Sequence, residues 1–134
     1  MPDESSPKRP PRWVFVYGTL RKGCSNDITR LQPPPQFVGQ TRVAGVLYHL
    51  GNYPGVTLGG PEWVEGEVYA IEPALEVVLD DIEDLGANPT DEYIKREIVV
   101  EVQGQALPCL VYEINPQYVL SAPRIHHGDW VKFL

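Results

Sequence analysis

A short apolar segment that ends in glycine, at residues 13–18, is predicted to lie inside the fold. Strand side chains alternate between two faces, and here the residues on both faces are apolar. That pattern is typical of a strand covered on both sides, so we predict a central strand. Gly18 allows the chain to turn without a Cβ penalty, and the N–H groups released there can converge on an anionic or carbonyl oxygen. A core strand that simply ends in a tight turn is the alternative.

The composition is that of one globular domain, with 134 residues of which 43% are hydrophobic and 22% charged. Residues 1–12 combine proline and serine with charges and lack apolar periodicity, which predicts a disordered leader before a single domain at 13–134. No apolar run is long enough to span a bilayer, and residues 1–11 lack the apolar region of a secretory signal. We therefore expect a cytoplasmic protein without a membrane partner.

The net charge is −7, and because residues 1–12 contribute one positive charge, the remaining residues carry −8. A domain of this charge repels phosphate backbones, so no nucleic-acid partner is expected.

The apolar periodicity predicts about six strands and one helix. Besides the first, strands are expected at 42–50, 56–58, 63–71, 93–102 and 107–114. A proline at the first helical position and an amphipathic stripe predict a helix over 73–85. Short connections favour antiparallel pairing. The predicted fold class is α+β, a small mixed β-barrel with one or two flanking helices.

Four acids lie near the end of this predicted helix, and they differ in direction. Glu83 alone flanks the apolar stripe, whereas Asp80, Asp81 and Asp84 fall on the opposite side and are predicted to face solvent. Desolvation beside the stripe would raise the pKa of Glu83, as a general acid–base near neutral pH requires. A solvated acid at a helix end is the alternative.

Other reactive residues give weaker patterns. Cys24 and Cys109 are too few for a disulfide framework and are predicted to be free thiols. His126 and His127 precede Asp129, but adjacent strand residues point to opposite faces, so no metal site is predicted.

Four segments, in this order and spacing, resemble the gamma-glutamylcyclotransferase-like family. They are VFVYGTLR from Val14, WVEGEVY from Trp63, LDDIE ending at Glu83, and a basic strand that starts at Tyr93. The resemblance covers nearly all of residues 13–114 and is greatest to the small members, which include gamma-glutamylamine cyclotransferases. The GDW sequence at 128–130 is also similar to bacterial members.

The resemblance implies a small mixed barrel with flanking helices and an enzyme that needs no cofactor. It implies that Glu83 is the general acid–base and that Tyr93 contributes to substrate binding. The turn that would line the substrate pocket consists of Tyr17, Gly18, Thr19 and Leu20.

Two departures from the family pattern stand out. Many members have glycine where this chain has Asp84, and the basic residue of the strand is Lys95 with Arg96 beside it, which leaves open which of the two faces the pocket.

The implied reaction is attack of a substrate's own α-amine on its γ-glutamyl carbonyl, which releases 5-oxoproline and an amine or amino acid. A non-catalytic binding module for a small molecule or protein, or a γ-glutamyl amide hydrolase, would fit the same residues. The leaving group and the oligomeric state are open at this point.

Overall fold

A computed structural model describes residues 12–83 and 91–134, and the statements below concern those residues. Five strands form one sheet in the order β2-β3-β1-β5-β4. The strands are β1 Arg12–Val16, β2 Gln36–His49, β3 Pro54–Ile71, β4 Tyr93–Val102 and β5 Gln105–Ile114. The predicted leader, apart from Arg12, lies outside the described residues, and so does residue 84 with the rest of the predicted helix end.

The central position predicted for the first strand is confirmed. β1 pairs with β3 antiparallel and with β5 parallel, and it is the third of the five strands. Val14 and Phe15, which point to opposite faces, are 0% and 1% exposed. The parallel pairing of β1 with β5 was not predicted, because the two strands are far apart in sequence and no connecting turn indicates their orientation.

The prediction of separate strands at 56–58 and 63–71 is wrong, because β3 is continuous. On β2, Ala44 pairs with Trp63 and the next residue, Gly45, pairs with Leu58. Residues 59–62 therefore bulge out of the ladder, and both glycines there have positive φ, +88° and +95°. Turn-forming residues were correctly recognised, but the chain uses them for a bulge that bends one long strand.

The α+β class is confirmed, whereas the closed barrel is not found. Within the described residues, no backbone ladder joins the edge strands β2 and β4. The sheet curls until these edges approach, and the Thr41 hydroxyl on β2 donates to the carbonyl of Glu101 on β4 at 2.6 Å. The five strands therefore form a curled, partly open barrel.

Short helical elements cover both faces of the sheet: α1 is Pro73–Ile82 and α2 is Trp130–Phe133, with 3₁₀ turns at Ile28–Arg30 and Pro116–Val119. α1 starts at the predicted proline and buries Leu75 and Leu79 fully against one face. On the other face, Trp130 of α2 is 2% exposed and joins a second apolar cluster. No helix among the described residues has the length and apolarity needed to cross a membrane.

Candidate functional site

A cleft of about 360 Å³ opens where β1 ends, between its turn and the end of α1. Its walls come from the β1 strand and turn, the β2–β3 connection, the end of α1, and strands β4 and β5. The lining residues are Phe15, Val16, Tyr17, Gly18, Thr19, Leu20, Ser25, Asn26, Asn52, Tyr53, Pro54, Ile82, Glu83, Glu92, Tyr93 and Tyr112. All six residues predicted for the site therefore line one cavity.

The turn after β1 presents backbone donors to this cleft. The carbonyls of Gly18, Thr19 and Leu20 accept from Arg21, Asn26 and Ile28 at 2.9–3.0 Å, which folds the loop back on itself. In the described part of the chain, by contrast, no acceptor takes the N–H groups of those same three residues. Adjacent N–H groups held in this way form a concavity suited to an anionic oxygen.

Gly18 is required here by close contact and not by its φ angle. A Cβ on Gly18 would lie 2.6 Å from Cγ and 2.9 Å from Cδ of Pro54, well inside van der Waals contact. The chain does turn here, since the Arg21 N–H donates to the Gly18 carbonyl at 3.0 Å, but Gly18 is not among the residues with positive φ in the described chain. Its missing side chain lets the β2–β3 connection close over the turn.

Three tyrosines form the buried floor of the cleft, and backbone contacts hold two of them. The Tyr17 hydroxyl donates to the Tyr112 carbonyl at 2.6 Å and accepts from the Val56 N–H at 3.3 Å. The Tyr93 hydroxyl donates to the Pro54 carbonyl at 2.7 Å. Burial, and after it the charge of nearby Glu83, raises the pKa of Tyr17 well above its usual value. The floor is thus rigid and neutral.

Glu83 lies at the C-terminal end of α1, where its N–H donates to the Leu79 carbonyl at 3.0 Å. Its side chain is half-buried and faces the cleft. Its charge raises the pKa of Tyr93 and Tyr112, although burial is the larger cause for both. One carboxylate is therefore close to all three floor tyrosines.

The solvent-facing prediction for the helix aspartates is wrong for Asp80 and right for Asp81, which is exposed; Asp84 lies outside the described residues. Asp80 accepts from the Tyr112 hydroxyl at 2.8 Å and from Lys95 Nζ at 3.0 Å. The prediction from helical directions was wrong because it considered one apolar stripe, with Asp80 opposite to it. In the structure, β4 and β5 pack on a second side of this short helix.

The basic pair on β4 is also resolved in space. Lys95 contacts Glu76 and Asp80 on α1, while Arg96 points to the other side of β4 and pairs with Glu113 at 3.0 Å. Neither side chain lines the cleft.

Behind the turn lies an ion cluster that the sequence did not predict. Arg21, 6% exposed, donates from Nε to Glu67 at 2.9 Å and from Nη1 to Asp129 at 2.8 Å. Glu67 also accepts from the Lys22 N–H at 3.1 Å and the Tyr69 hydroxyl at 3.0 Å. Glu67 could have indicated this cluster from the sequence. It shares a strand face with a buried tyrosine, and a buried carboxylate requires hydrogen-bond partners.

The remaining candidates lie away from the cleft. Asp129 binds Arg21 and begins α2, and His126 lies 3.2 Å from Glu62. No group of three or more metal-ligating side chains occurs within residues 12–83 and 91–134. Cys24 and Cys109 are free thiols, as predicted, and burial raises the pKa of Cys24.

Comparison with known proteins places these features in context. The family model described as "Gamma-glutamyl cyclotransferase, AIG2-like" matches residues 14–132. A Vibrio cholerae protein named "Putative gamma-glutamylcyclotransferase" is 39% identical over 119 residues, which cover 87% of this chain and 93% of that protein.

Solved structures share the fold. An AIG2-like protein from Mus musculus has a TM-score of 0.73 and 26% identity, with 90% of this chain and 88% of the mouse chain covered. YkqA from Bacillus subtilis has a TM-score of 0.71 and 27% identity over 92% of this chain. This chain spans only 40% of the length of YkqA.

Proposed function

The chain belongs to the AIG2-like gamma-glutamylcyclotransferase family, and we propose that it converts a γ-glutamyl amine or γ-glutamyl amino acid to 5-oxoproline. The observation that carries the proposal is the convergence of Glu83 and the donor turn on one cleft. These elements are separated by more than sixty residues of sequence, at 17–20 and 83. Their meeting supports the proposal, because a carboxylate and a turn with backbone donors would then act on one ligand-sized space.

The cleft suits a reaction in which the substrate supplies its own nucleophile. Its volume of about 360 Å³ falls in the range of small-molecule sites, and its rigid floor would hold a folded γ-glutamyl chain. Folding the chain brings the α-amine to the γ-carbonyl, and such intramolecular orientation is itself a large part of catalysis. No nucleophilic side chain is needed, and the proposed step uses no cofactor.

Glu83 is the proposed general acid–base. Its carboxylate takes a proton from the substrate's α-ammonium, and the amine attacks the γ-carbonyl carbon to form the ring C–N bond. The carbonyl oxygen becomes an oxyanion as the bond forms. When the amide C–N bond breaks, Glu83 returns this proton to the leaving nitrogen. It then takes the second proton from the ring nitrogen and releases it to solvent, so that 5-oxoproline and a neutral amine depart.

The N–H groups at 18–20 are the proposed binding site for negative charge. Their carbonyls are fixed within the loop, so the donors do not reorganise when charge develops. They receive the substrate α-carboxylate or the oxyanion. Tyr17 and Tyr93, whose hydroxyls already donate to backbone carbonyls, shape the floor and do not supply protons.

The test is release of 5-oxoproline from a panel of γ-glutamyl amines and dipeptides by the wild type, Glu83→Gln and Asp81→Asn. Asp81 is the matched control, since it is an exposed acid on the same helix. We expect Glu83→Gln to remain folded and to lose about 10²–10⁴-fold in kcat, with Asp81→Asn near wild type.

Other products would favour other functions. Free glutamate in place of 5-oxoproline would indicate an amide hydrolase. Binding of the panel without any product would indicate a binding module, and full activity of Glu83→Gln would contradict its catalytic role. The expectations of a cytoplasmic protein with no nucleic-acid or membrane partner stay predictions.

A further inference from the structure

One buried carboxylate closes the loop that follows the donor turn. Asp27 is only 9% exposed. Its Oδ2 accepts from the Gly23 N–H at 2.8 Å, and its Oδ1 accepts from the N–H of Thr29 at 2.9 Å and from the hydroxyl of the same residue at 2.6 Å. Hydrogen bonds to an ionised acceptor are strong, so these three bonds hold the loop firmly. We call them the Asp27 latch, because they join the start of the loop at residue 23 to its exit at residue 29.

The two neighbours of Asp27 bind the donor turn itself. The Asn26 N–H donates to the Thr19 carbonyl at 2.9 Å, and the Ile28 N–H donates to the Leu20 carbonyl at 2.9 Å. A peptide group is planar, so a bond that fixes the Thr19 carbonyl also fixes the Leu20 N–H, which lies in the same peptide group. The position of residue 26 therefore sets the direction of one of the proposed anion-binding donors.

Asn26 contacts the turn a second time, through its side chain. Its Nδ2 donates to the Thr19 hydroxyl oxygen at 3.1 Å, and both residues line the cleft. Asn26 itself is exposed, whereas Asp27 beside it is buried and held by the latch. A continuous series of hydrogen bonds thus leads from a buried, fixed carboxylate to the turn that lines the cleft.

We propose that Asp27 is a positioning residue of the reaction: its latch holds Asn26 against Thr19, so that the Leu20 N–H keeps the geometry that binds negative charge on the substrate. The inference rests on the proposed function, in which the N–H groups at 18–20 receive the α-carboxylate or the oxyanion. Asp27 is not among the residues that line the cleft, so it acts on the substrate through the turn. A small displacement of a binding group is enough to lower the rate strongly.

Conservative variants of the latch test this role. Asp27→Asn keeps the size of the side chain but offers one acceptor oxygen in place of two, so an amide NH₂ would meet the Gly23 N–H or the Thr29 donors. Thr29→Val removes the hydroxyl donor alone. The measurements are kcat and KM for 5-oxoproline release, per folded protein, with the folded fraction taken from urea unfolding. We expect kcat/KM to fall about tenfold in Asp27→Asn and about threefold in Thr29→Val.

Thr41→Val is the matched control for Thr29→Val. The Thr41 hydroxyl also donates a hydrogen bond of 2.6 Å, to the Glu101 carbonyl, but it lies at the seam between β2 and β4 and outside the cleft lining. The same substitution therefore removes the same kind of bond at a distant place, and kcat/KM should stay at the wild-type value.

Asn26→Ala tests the middle of the series, because it removes the side-chain bond to Thr19 and keeps the backbone bond. It should change the same kinetic parameter as Asp27→Asn, since both act on one turn. That parameter is KM if the turn binds the α-carboxylate and kcat if it binds the oxyanion. A loss of stability alone would change neither parameter per folded protein.

The outcomes separate the two proposals. Wild-type kcat/KM in Asp27→Asn, a Thr29→Val variant as active as Thr41→Val, or different parameters affected in Asn26→Ala and Asp27→Asn would overturn this inference and leave the cyclotransferase function standing. If Asp27→Asn does not fold, the comparison of the two threonine variants decides. Absence of 5-oxoproline from every substrate with the wild type would overturn the proposed function and this inference with it.

Discussion

The turn after β1 separates two groups of charged side chains that lie in different surroundings. Behind it, the Arg21 guanidinium lies between two carboxylates, those of Glu67 and Asp129, at 2.8–2.9 Å. In front of it, the carboxylates of Glu83 and Glu92 line the cleft. Residues 20 and 21 are neighbours in sequence, yet they belong to these two different environments.

The two groups therefore have different roles, one in supporting the loop and the other in the proposed chemistry. A buried charge is tolerated only when partners replace its lost hydration, so the ion cluster is satisfied within the protein and fixes the loop from behind. The carboxylates of the cleft instead line a space large enough for a small ligand. We therefore expect changes behind the turn to cost stability, and changes in front of it to cost activity.

The largest expected effect is that of Arg21→Met. Removing the guanidinium leaves Glu67 and Asp129 without their cation, and breaking a buried pair in this way costs about 3–5 kcal/mol. The measurement is the free energy of unfolding in urea. Lys22→Met is the control, because its side chain is exposed and should change stability by no more than about 0.5 kcal/mol. Similar free energies of unfolding for the two variants would contradict the supporting role of the ion cluster behind the turn.

A smaller effect is expected at the border between the two sides, at Gly18. The Cβ of Gly18→Ala would overlap the Pro54 ring, and such overpacking costs about 1–3 kcal/mol. Pro54→Ala removes the Cγ and Cδ atoms that are overlapped. The double variant should therefore recover part of the lost stability, as a double-mutant cycle by urea unfolding would measure. Additive costs would show that the contact does not constrain Gly18.

The smallest effect is expected on the free energy of unfolding at acid pH, and it should come from the ion cluster behind the turn. Burial raises the pKa of Asp129, but the Lys132 N–H and the Arg21 guanidinium outweigh it, so that pKa lies below its usual range. A lowered folded-state pKa gives stability that is complete above the unfolded value of about 3.9 and is lost as pH falls through the folded value.

The free energy of unfolding, followed from about pH 5 down to pH 2, should thus decline less steeply in Asp129→Asn than in the wild type. Some decline will remain, because hydrogen bonds from Thr29 and Gly23 outweigh burial and lower the pKa of Asp27 as well. Asp81→Asn serves as the exposed control. Parallel declines of wild type and Asp129→Asn would contradict the assignment.

The sequence predicted those features that local patterns specify. The two-faced apolar segment gave a central strand, and Pro73 with its stripe gave the start of α1, because alternation and helical periodicity are properties of neighbouring residues. Glu83 was singled out by its direction on that helix, and the structure puts it in the same cleft as the turn at 17–20. The sequence also indicated the bend at 59–62, but it did not show that one strand continues through it.

Contacts between distant segments could not be predicted from the sequence. Arg21 meets Asp129 across 108 residues, and Tyr112 meets Asp80 across 32, and no periodicity links such pairs. The parallel pairing of β1 with β5, the open seam between β2 and β4, and the place of Glu92 beside Tyr53 depend likewise on how the whole sheet curls. Sequence determined which residues prefer the interior and which can do chemistry. The tertiary structure alone decided which charges meet behind the turn and which line the cleft, because these positions depend on distances that only the folded chain sets.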